Sequence, residues 1–148
     1  MIEISIDTTQ ALRSNLVFKI PEANVDGCFD LYYFGTSDPS KQHLNPLQEL
    51  VNYWINKSSE INVNELGYLP IDFSDEYIGC LKIERVTAEE FKLSYGFSRI
   101  PGYGIDPADP GDFFIKVNDF EFDRDTNSII VKRETFLERL RNIITTLN

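Results

Sequence analysis

The chain has 148 residues, of which 42% are hydrophobic and 13% aromatic, and its 24 acidic and 14 basic residues give a formal net charge of −10. This apolar content supports one globular domain over residues 1–148 and excludes a disordered acidic tail. The negative charge argues against nucleic acid and anionic membrane surfaces as partners, because both attract basic proteins. No segment has the pattern of a signal peptide or of a membrane-spanning helix, which predicts a cytoplasmic protein.

The N-terminal part of the chain predicts three strands and a helix. Segments with β-type patterns, rich in β-branched or aromatic residues, are Ile2–Ile6, Leu16–Ile20 and Cys28–Phe34. A helix is predicted over about 46–57, because apolar residues recur there at helical spacing. Segment 61–78 shows no regular period and is predicted to be irregular.

The clearest strand signal is the strict alternation of apolar and polar residues in Phe91–Ser98, which predicts an antiparallel hairpin with Cys80–Val86. Segment Ile100–Gly111 contains three prolines and three glycines and is predicted to be a loop. Two further strands, Phe113–Val117 and Phe120–Phe122, are predicted to follow.

The chain closes with a predicted strand, Ser128–Lys132, and a helix over about 134–147 whose apolar residues form a continuous stripe. These elements predict an α+β fold, with a mainly antiparallel sheet of about five to seven strands packed against two helices in two layers. Cys28 and Cys80 form no metal-binding or redox pair and are predicted to be free, buried thiols.

Most of the net charge lies in the centre of the chain, since residues 59–123 hold 14 acidic and five basic residues. Within it, Asp119, Glu121 and Asp123 alternate with Phe120 and Phe122. On a strand the three carboxylates would project from one face while the phenylalanines anchor the other. Such a stripe attracts a basic partner, and the alternative is the solvated outer face of a half-buried strand.

A second acidic cluster lies in the predicted loop, where Asp106, Asp109 and Asp112 are spaced three residues apart and Tyr103 precedes them. The spacing could present carboxylates to Ca²⁺, but it lacks the ligand order and the distal glutamate of an EF-hand loop. A stiff acidic loop beside a tyrosine also has the composition of a recognition surface. The alternative is a plain surface loop built from turn-forming Asp and Pro.

Catalytic motifs are scarce in the sequence. His43 is the only histidine, which excludes a multi-histidine metal site within one chain. The chain contains no G-x-S-x-G nucleophile motif, no phosphate-binding P-loop and no dinucleotide-binding glycine pattern. No catalytic residue, metal ligand or cofactor is therefore predicted, and an enzyme is the less favoured interpretation.

The favoured hypothesis is a protein-binding module, in the form of a bacterial immunity or antitoxin protein that neutralises a basic partner such as a nuclease toxin. The predicted partner-binding residues combine both acidic clusters: Asp119, Glu121 and Asp123 at the centre, with Tyr103, Asp106, Asp109 and Asp112 at the edge. Two alternatives stay open. A small carboxylate-based or metal-assisted hydrolase requires a pocket of converging carboxylates with shifted pKa values, and a structural protein requires exposed apolar residues that form homo-oligomers.

Overall fold

The computed structural model describes residues 2–10, 13–30 and 44–147. In these ranges the chain has an α+β fold in which antiparallel strands form two sheets and helices pack against them. The strands are β1 (Glu3–Gln10), β2 (Arg13–Ile20), β3 (Val25–Asp30), β4 (Leu66–Phe73), β5 (Ile78–Arg85), β6 (Glu90–Ser98), β7 (Glu121–Phe122) and β8 (Ile129–Lys132). The helices are α1 (Leu44–Glu60), α2 (Phe113–Lys116) and α3 (Arg133–Leu147), with short 3-10 turns at Pro21–Ala23 and Gly102–Gly104.

The smaller sheet has the order β1-β2-β3, and the larger sheet has the order β4-β5-β6-β7, with β8 also paired to β6. β7 and β8 share one edge of β6, because β7 pairs at Gly96 and Phe97 whereas β8 pairs from Glu90 to Leu93. The β5–β6 hairpin runs in unbroken antiparallel register. The α+β class and the hairpin are therefore confirmed, while the single predicted sheet is divided into two.

Helix α1 joins the two sheets through a shared hydrophobic core. Its residues Leu47, Leu50, Val51 and Trp54 recur at helical spacing and are at most 1% exposed. The Trp54 ring meets Phe18 of β2 edge to face, with ring centroids 5.9 Å apart. The Trp54 Nε1–H donates a hydrogen bond of 2.8 Å to the carbonyl of Pro70 in β4. One side chain thus links the smaller sheet to the larger one.

Helix α3 covers the other end of the larger sheet. Its residues Phe136, Leu137 and Leu140 are at most 1% exposed, as the predicted apolar stripe requires. Phe136 meets Phe91 of β6 edge to face, with centroids 5.8 Å apart. Both predicted helices are confirmed, although α1 extends to Glu60.

Two predictions about the central region are wrong. Segment 61–78, predicted to be irregular, contains β4, whose residues from Gly67 to Phe73 are all buried. A strand buried on both faces shows no polar alternation, so its sequence carries no strand period. Phe113–Val117, predicted to be a strand, forms the short helix α2 instead. Phe113, Phe114 and Val117 are buried while Ile115 is 78% exposed, which is a helical pattern.

The two cysteines are free thiols, as predicted. Cys80 is buried in β5, but Cys28 is exposed, so the prediction of burial is wrong for Cys28. The predicted strand Cys28–Phe34 corresponds to β3, and its residues 31–34 lie outside the described ranges, as does His43. None of the described helices is both long and apolar enough to cross a lipid bilayer.

Candidate functional site

A β-bulge in β4 decides which side chain this strand presents at the end of the larger sheet. Pro70 pairs with Cys80 of β5, whereas Asp72 pairs with Gly79. Two β4 residues therefore oppose one β5 residue, and Ile71 is the extra residue. Because directly paired residues share a face, the bulge places a carboxylate where an unbroken ladder would place Ile71.

The register continues from this point across the whole sheet. Gly79 pairs with Phe97 of β6, and Phe97 pairs with Glu121 of β7. One cross-strand row is thereby formed by Asp72, Gly79, Phe97 and Glu121. Asp123 follows Glu121 by two residues, and its N–H donates a hydrogen bond of 3.0 Å to the Tyr95 carbonyl. Carboxylates from both edges of the sheet thus flank a central aromatic residue.

A cavity of about 480 Å³ opens between this face and β3 of the smaller sheet. We call it the inter-sheet cavity. Its acidic lining residues are Asp26, Asp72, Asp123 and Asp125, and its aromatic lining includes Tyr77, Tyr95 and Phe97. In the described ranges, no lysine, arginine or histidine lines it. The inter-sheet cavity therefore has an anionic and aromatic wall.

The turn after β7 fixes one rim of this cavity to both sheets. The Asp123 carboxylate accepts a hydrogen bond of 3.0 Å from the Asp125 N–H, which closes the turn on itself. The Asn24 side-chain amide donates to the Asp125 carbonyl at 2.8 Å, and the Asn127 N–H donates to the Ala23 carbonyl at 2.8 Å. These bonds tie the turn to the segment that leads into β3, so the cavity has a defined width at this rim.

Two aromatic residues separate the inter-sheet cavity from a second depression of about 380 Å³. Tyr77 and Phe97 line both, and their rings meet edge to face with centroids 5.4 Å apart. Asp119, Glu121 and Arg99 border the second depression. Tyr77 is 36% exposed, so the aromatic pair reaches the surface between the two groups of carboxylates.

The structure thus brings the three predicted central residues, Asp119, Glu121 and Asp123, to this aromatic pair. We call these three residues the acidic face. They differ in how much of each carboxylate is free. Asp119 accepts hydrogen bonds of 2.9 Å from the hydroxyl of the fully buried Ser98 and from the Arg99 N–H. Asp119 therefore closes the turn after β6, while Glu121 is exposed and, among the described residues, has no ion-pair partner.

The two phenylalanines of this segment have different surroundings. Phe120 is half-buried and packs against Tyr68, with ring centroids 5.4 Å apart, which confirms its predicted anchoring. Phe122 is 39% exposed, so the prediction that it anchors the strand is wrong. β7 pairs with β6 at only two positions, and both of its residues, Glu121 and Phe122, are exposed.

The predicted edge residues are not part of this site. Asp106 accepts a hydrogen bond of 2.9 Å from the Ala108 N–H and so shapes its own turn. Burial raises the pKa of Tyr53 in α1, and the carboxylates of Asp112 and Asp109 raise it further, which places both acids near α1. Tyr103 is 72% exposed. None of these four predicted residues lines the inter-sheet cavity or the second depression.

The loop that carries them is anchored at both ends. The Gly102 N–H donates a hydrogen bond of 2.7 Å to the Ser74 carbonyl, at the turn that carries Tyr77. At the other end, the Tyr53 hydroxyl donates to the Gly111 carbonyl at 2.9 Å and accepts from the Phe114 N–H at 3.0 Å. The acids of this loop are therefore positioned mainly by α1 and α2, whereas the acidic face is positioned by β6 and β7.

Asp72 is the most buried carboxylate of the inter-sheet cavity, with 7% of its surface exposed. Burial raises the pKa of its carboxyl group, although the hydroxyls of Tyr77 and Ser74 donate hydrogen bonds that oppose the rise. A raised pKa means that the ionised form is less stable in the folded chain than in the unfolded chain. The site therefore includes a carboxylate whose charge lowers the stability of the fold.

We expect the Asp72→Asn substitution to raise the free energy of unfolding at pH 7, because it removes this buried charge and keeps an oxygen for Tyr77. The gain should be largest above the raised pKa and should vanish as the pH falls below the ordinary value of 3.8, where the carboxyl group is protonated in both states. Urea unfolding at several pH values measures it. Asp75→Asn, at an exposed position two residues before Tyr77, is the matched control and should show no such gain.

Comparison of the chain with protein-family models, with curated proteins and with solved structures finds no match. The site is interpreted from its own geometry and charge. The sequence patterns single out Glu121 and Asp123, which border the two depressions, but miss Asp26, Asp72 and Tyr77. The sequence did contain one indication of the bulge that positions Asp72. A proline inside an apolar run, such as Pro70, is typical of an edge strand or a bulge.

Proposed function

We propose that this chain is a protein-binding module that neutralises a basic partner through its acidic face, as an immunity or antitoxin protein does. The observation that carries the proposal is the surface position of the Tyr77–Phe97 pair between Glu121 on one side and Asp123 on the other. Aromatic residues are enriched at the centres of protein interfaces, where they provide contact area at a low cost in conformational entropy. The flanking carboxylates supply the charge that selects a cationic partner.

The charge distribution supports the same proposal. Residues 59–123 hold 14 acidic and five basic residues, so the local field is strongly negative. A field of this sign accelerates association with a positively charged protein and disfavours acidic competitors. An inhibitor of a lethal enzyme needs rapid association, and such an inhibitor acts in the cytoplasm that it protects. A nuclease is a suitable target, because its active site is positive to hold phosphates and a carboxylate can occupy that site.

The experiment that tests the proposal is capture of the partner by the tagged chain, first by co-expression with the product of the neighbouring gene. We expect stoichiometric capture of a basic protein at low salt and progressive loss of binding as salt screens the charges. We expect Glu121→Lys to weaken binding about tenfold or more, mainly through a slower association rate. Surface plasmon resonance at two salt concentrations measures both rates.

Glu138→Lys is the matched control, because it makes the same charge change at an exposed position on α3. If Glu121→Lys and Glu138→Lys reduce the association rate equally, only the net charge matters and the proposed site is wrong. If both variants bind as the unaltered chain does, with the same salt dependence, the acidic face is an ordinary solvated surface.

A second function, carboxylate-based hydrolysis, is favoured by one observation. Asp72 and Asp123 line the same cavity, and the pKa of Asp72 is raised by burial, as a general acid requires. The acids first considered for this chemistry, Asp106, Asp109 and Asp112, do not line that cavity. Screening ester, amide and glycoside substrates with the unaltered chain and with Asp72→Asn side by side tests it, since turnover that survives the substitution contradicts a catalytic Asp72.

A further inference from the structure

The wall of the inter-sheet cavity contains a tyrosine hydroxyl group that has no hydrogen-bond partner among the described residues. Tyr95 is 5% exposed, lines the cavity and packs edge to face on Phe97, with ring centroids 5.7 Å apart. A Cβ atom added at Gly79 would overlap its hydroxyl and would lie 3.0 Å from the Cβ of Asp72. The missing side chain of Gly79 therefore makes room for the Tyr95 hydroxyl beside Asp72. The Tyr95 side chain is thus almost wholly packed into the wall, and its hydroxyl group is available to form a hydrogen bond with a ligand in the cavity.

The carboxylates around this hydroxyl also lack counter-charges. Within the described ranges the ion pairs are Lys82–Glu84 and Arg133–Glu134, and neither involves an acid of the cavity. Lys19 is the cross-strand neighbour of Asp26, so this one carboxylate has a basic residue beside it. Asp72 has Gly79 as its cross-strand neighbour, and Asp123 and Asp125, in the turn after β7, form no ion pair within the described ranges. Three carboxylates of the inter-sheet cavity thus have no basic side chain paired with them among the described residues, which favours a cationic ligand.

The spacing of these acids does not suit a metal ion. In the part of the chain that the structure describes, no three His, Cys, Asp or Glu side chains are placed to share one ion. A metal ion needs oxygen ligands within about 2–2.6 Å of a single point. Acids that are spread over a cavity of about 480 Å³ can instead each contact a different part of an extended cation.

We infer that the inter-sheet cavity binds a guanidinium group, held between the Asp72 and Asp123 carboxylates, the Tyr95 hydroxyl and the aromatic faces of Tyr77 and Phe97. A guanidinium group is planar, carries five N–H donors and is weakly hydrated, so it stacks on aromatic rings while it donates to several acceptors. A primary ammonium has three donors and a stronger hydration shell, and it fits this wall less well. The inference deepens the proposed function and rests on it only for the source of the cation, an arginine side chain of the partner.

Binding of methylguanidinium to the ¹⁵N-labelled chain tests the inference. We expect saturable chemical-shift changes at Tyr95, Phe97 and Asp72, with a dissociation constant on the order of millimolar for so small a ligand. The neutral isostere N-methylurea, which lacks the charge, should give no saturable change. Butylammonium should bind more weakly than methylguanidinium.

Two variants of the cavity and two matched controls sharpen the test. We expect Asp72→Asn to weaken binding about 10- to 100-fold and Tyr95→Phe about 3- to 10-fold, because the first removes a charged acceptor and the second a neutral one. Asp112→Asn and Tyr103→Phe make the same chemical changes outside the cavity and should leave binding unchanged. Asp72→Asn should also fold at least as stably as the unaltered chain, so its loss of binding is not a loss of structure.

Binding of a capped arginine tripeptide distinguishes the two possible sources of the guanidinium group, an arginine side chain of a partner protein and a small free ligand. Equal or tighter binding of the tripeptide supports an arginine side chain, and binding of methylguanidinium alone supports a small free ligand in the same site. The absence of saturable shifts, or equal effects of the cavity and control variants, would overturn the inference. If methylguanidinium binds but no basic protein is captured, the inferred guanidinium site is supported and the proposed function is wrong. If a basic protein is captured but methylguanidinium does not bind, the proposed function is supported and the inferred guanidinium site is wrong.

Discussion

Replacement of Trp54 by alanine is expected to lower the free energy of unfolding by about 3–5 kcal/mol, which is a large share of the stability of a small domain. Trp54 is 1% exposed, contacts Phe18 of β2 and donates a hydrogen bond to the carbonyl of Pro70 in β4. The substitution therefore leaves a cavity and an unpaired carbonyl between the two sheets. Urea unfolding measures the loss. It is followed by far-UV circular dichroism, because Trp54 is the only tryptophan and its removal abolishes the tryptophan fluorescence signal.

Trp54→Phe separates the two contributions. The phenyl ring preserves much of the contact with Phe18 but leaves the carbonyl of Pro70 without its donor, which costs about 1–3 kcal/mol. We expect the phenylalanine variant to lie between the unaltered chain and the alanine variant. A loss of less than about 1 kcal/mol for Trp54→Ala would contradict the description of Trp54 as the link between the sheets.

Gly96→Ala is expected to lower the free energy of unfolding by about 1–3 kcal/mol and to displace β7. A Cβ atom at this position would overlap the Glu121 backbone carbonyl and the ring of Phe120. A backbone carbonyl cannot rotate away as the end of a side chain can, so β7 has to move and Glu121 moves with it. Urea unfolding measures the stability, and amide chemical shifts of residues 119–123 report the displacement.

Gly104→Ala is the matched control for this change. The nearest atom to an added Cβ at Gly104 is Pro101 Cγ, at 3.9 Å, which is an ordinary contact distance. We expect a change within about 0.5 kcal/mol and no shift of residues 119–123. Unaltered stability and spectra for Gly96→Ala would show that the close packing of β7 on β6 is not required for the position of Glu121.

Local periodicity was sufficient to predict the two long helices, α1 and α3, and the central hairpin. The stripe from Leu47 to Trp54 and the alternation from Phe91 to Ser98 are properties of adjacent residues. The core preserves the stripe, but burial in β6 alternates only as far as Leu93, because the polar or small residues Ser94, Gly96 and Ser98 are buried as well. β4 lacks such a property, because both of its faces are covered and its polar positions are few. For α2, the 1-and-3 spacing of Phe113, Phe114 and Val117 indicated a helix, but five residues are too few for a period to be distinguished from alternation.

The candidate site was predictable only where it depends on one strand. The alternation of Glu121 and Asp123 places them on the same face without any knowledge of their neighbours. The burial of Asp72 and its position beside Gly79 depend on pairing with β5, which involves contacts between separate strands. The hydrogen bonds that Asp119 accepts from Ser98 and Arg99 likewise depend on contacts between distant residues, because the partners are 21 and 20 positions apart with α2 between them.

The bulge at Ile71 makes the lining of the inter-sheet cavity depend on the pairing register of β4 as well as on its amino acids. A slip of β4 by one residue would turn Ile71 toward Gly79 and carry Asp72 to the opposite face, so the cavity would lose its most buried carboxylate with no amino acid changed. The indole of Trp54 holds the Pro70 carbonyl directly before the bulge. A residue of α1 that does not line the cavity therefore helps to hold Asp72 in it, by fixing the position of β4 directly before the bulge.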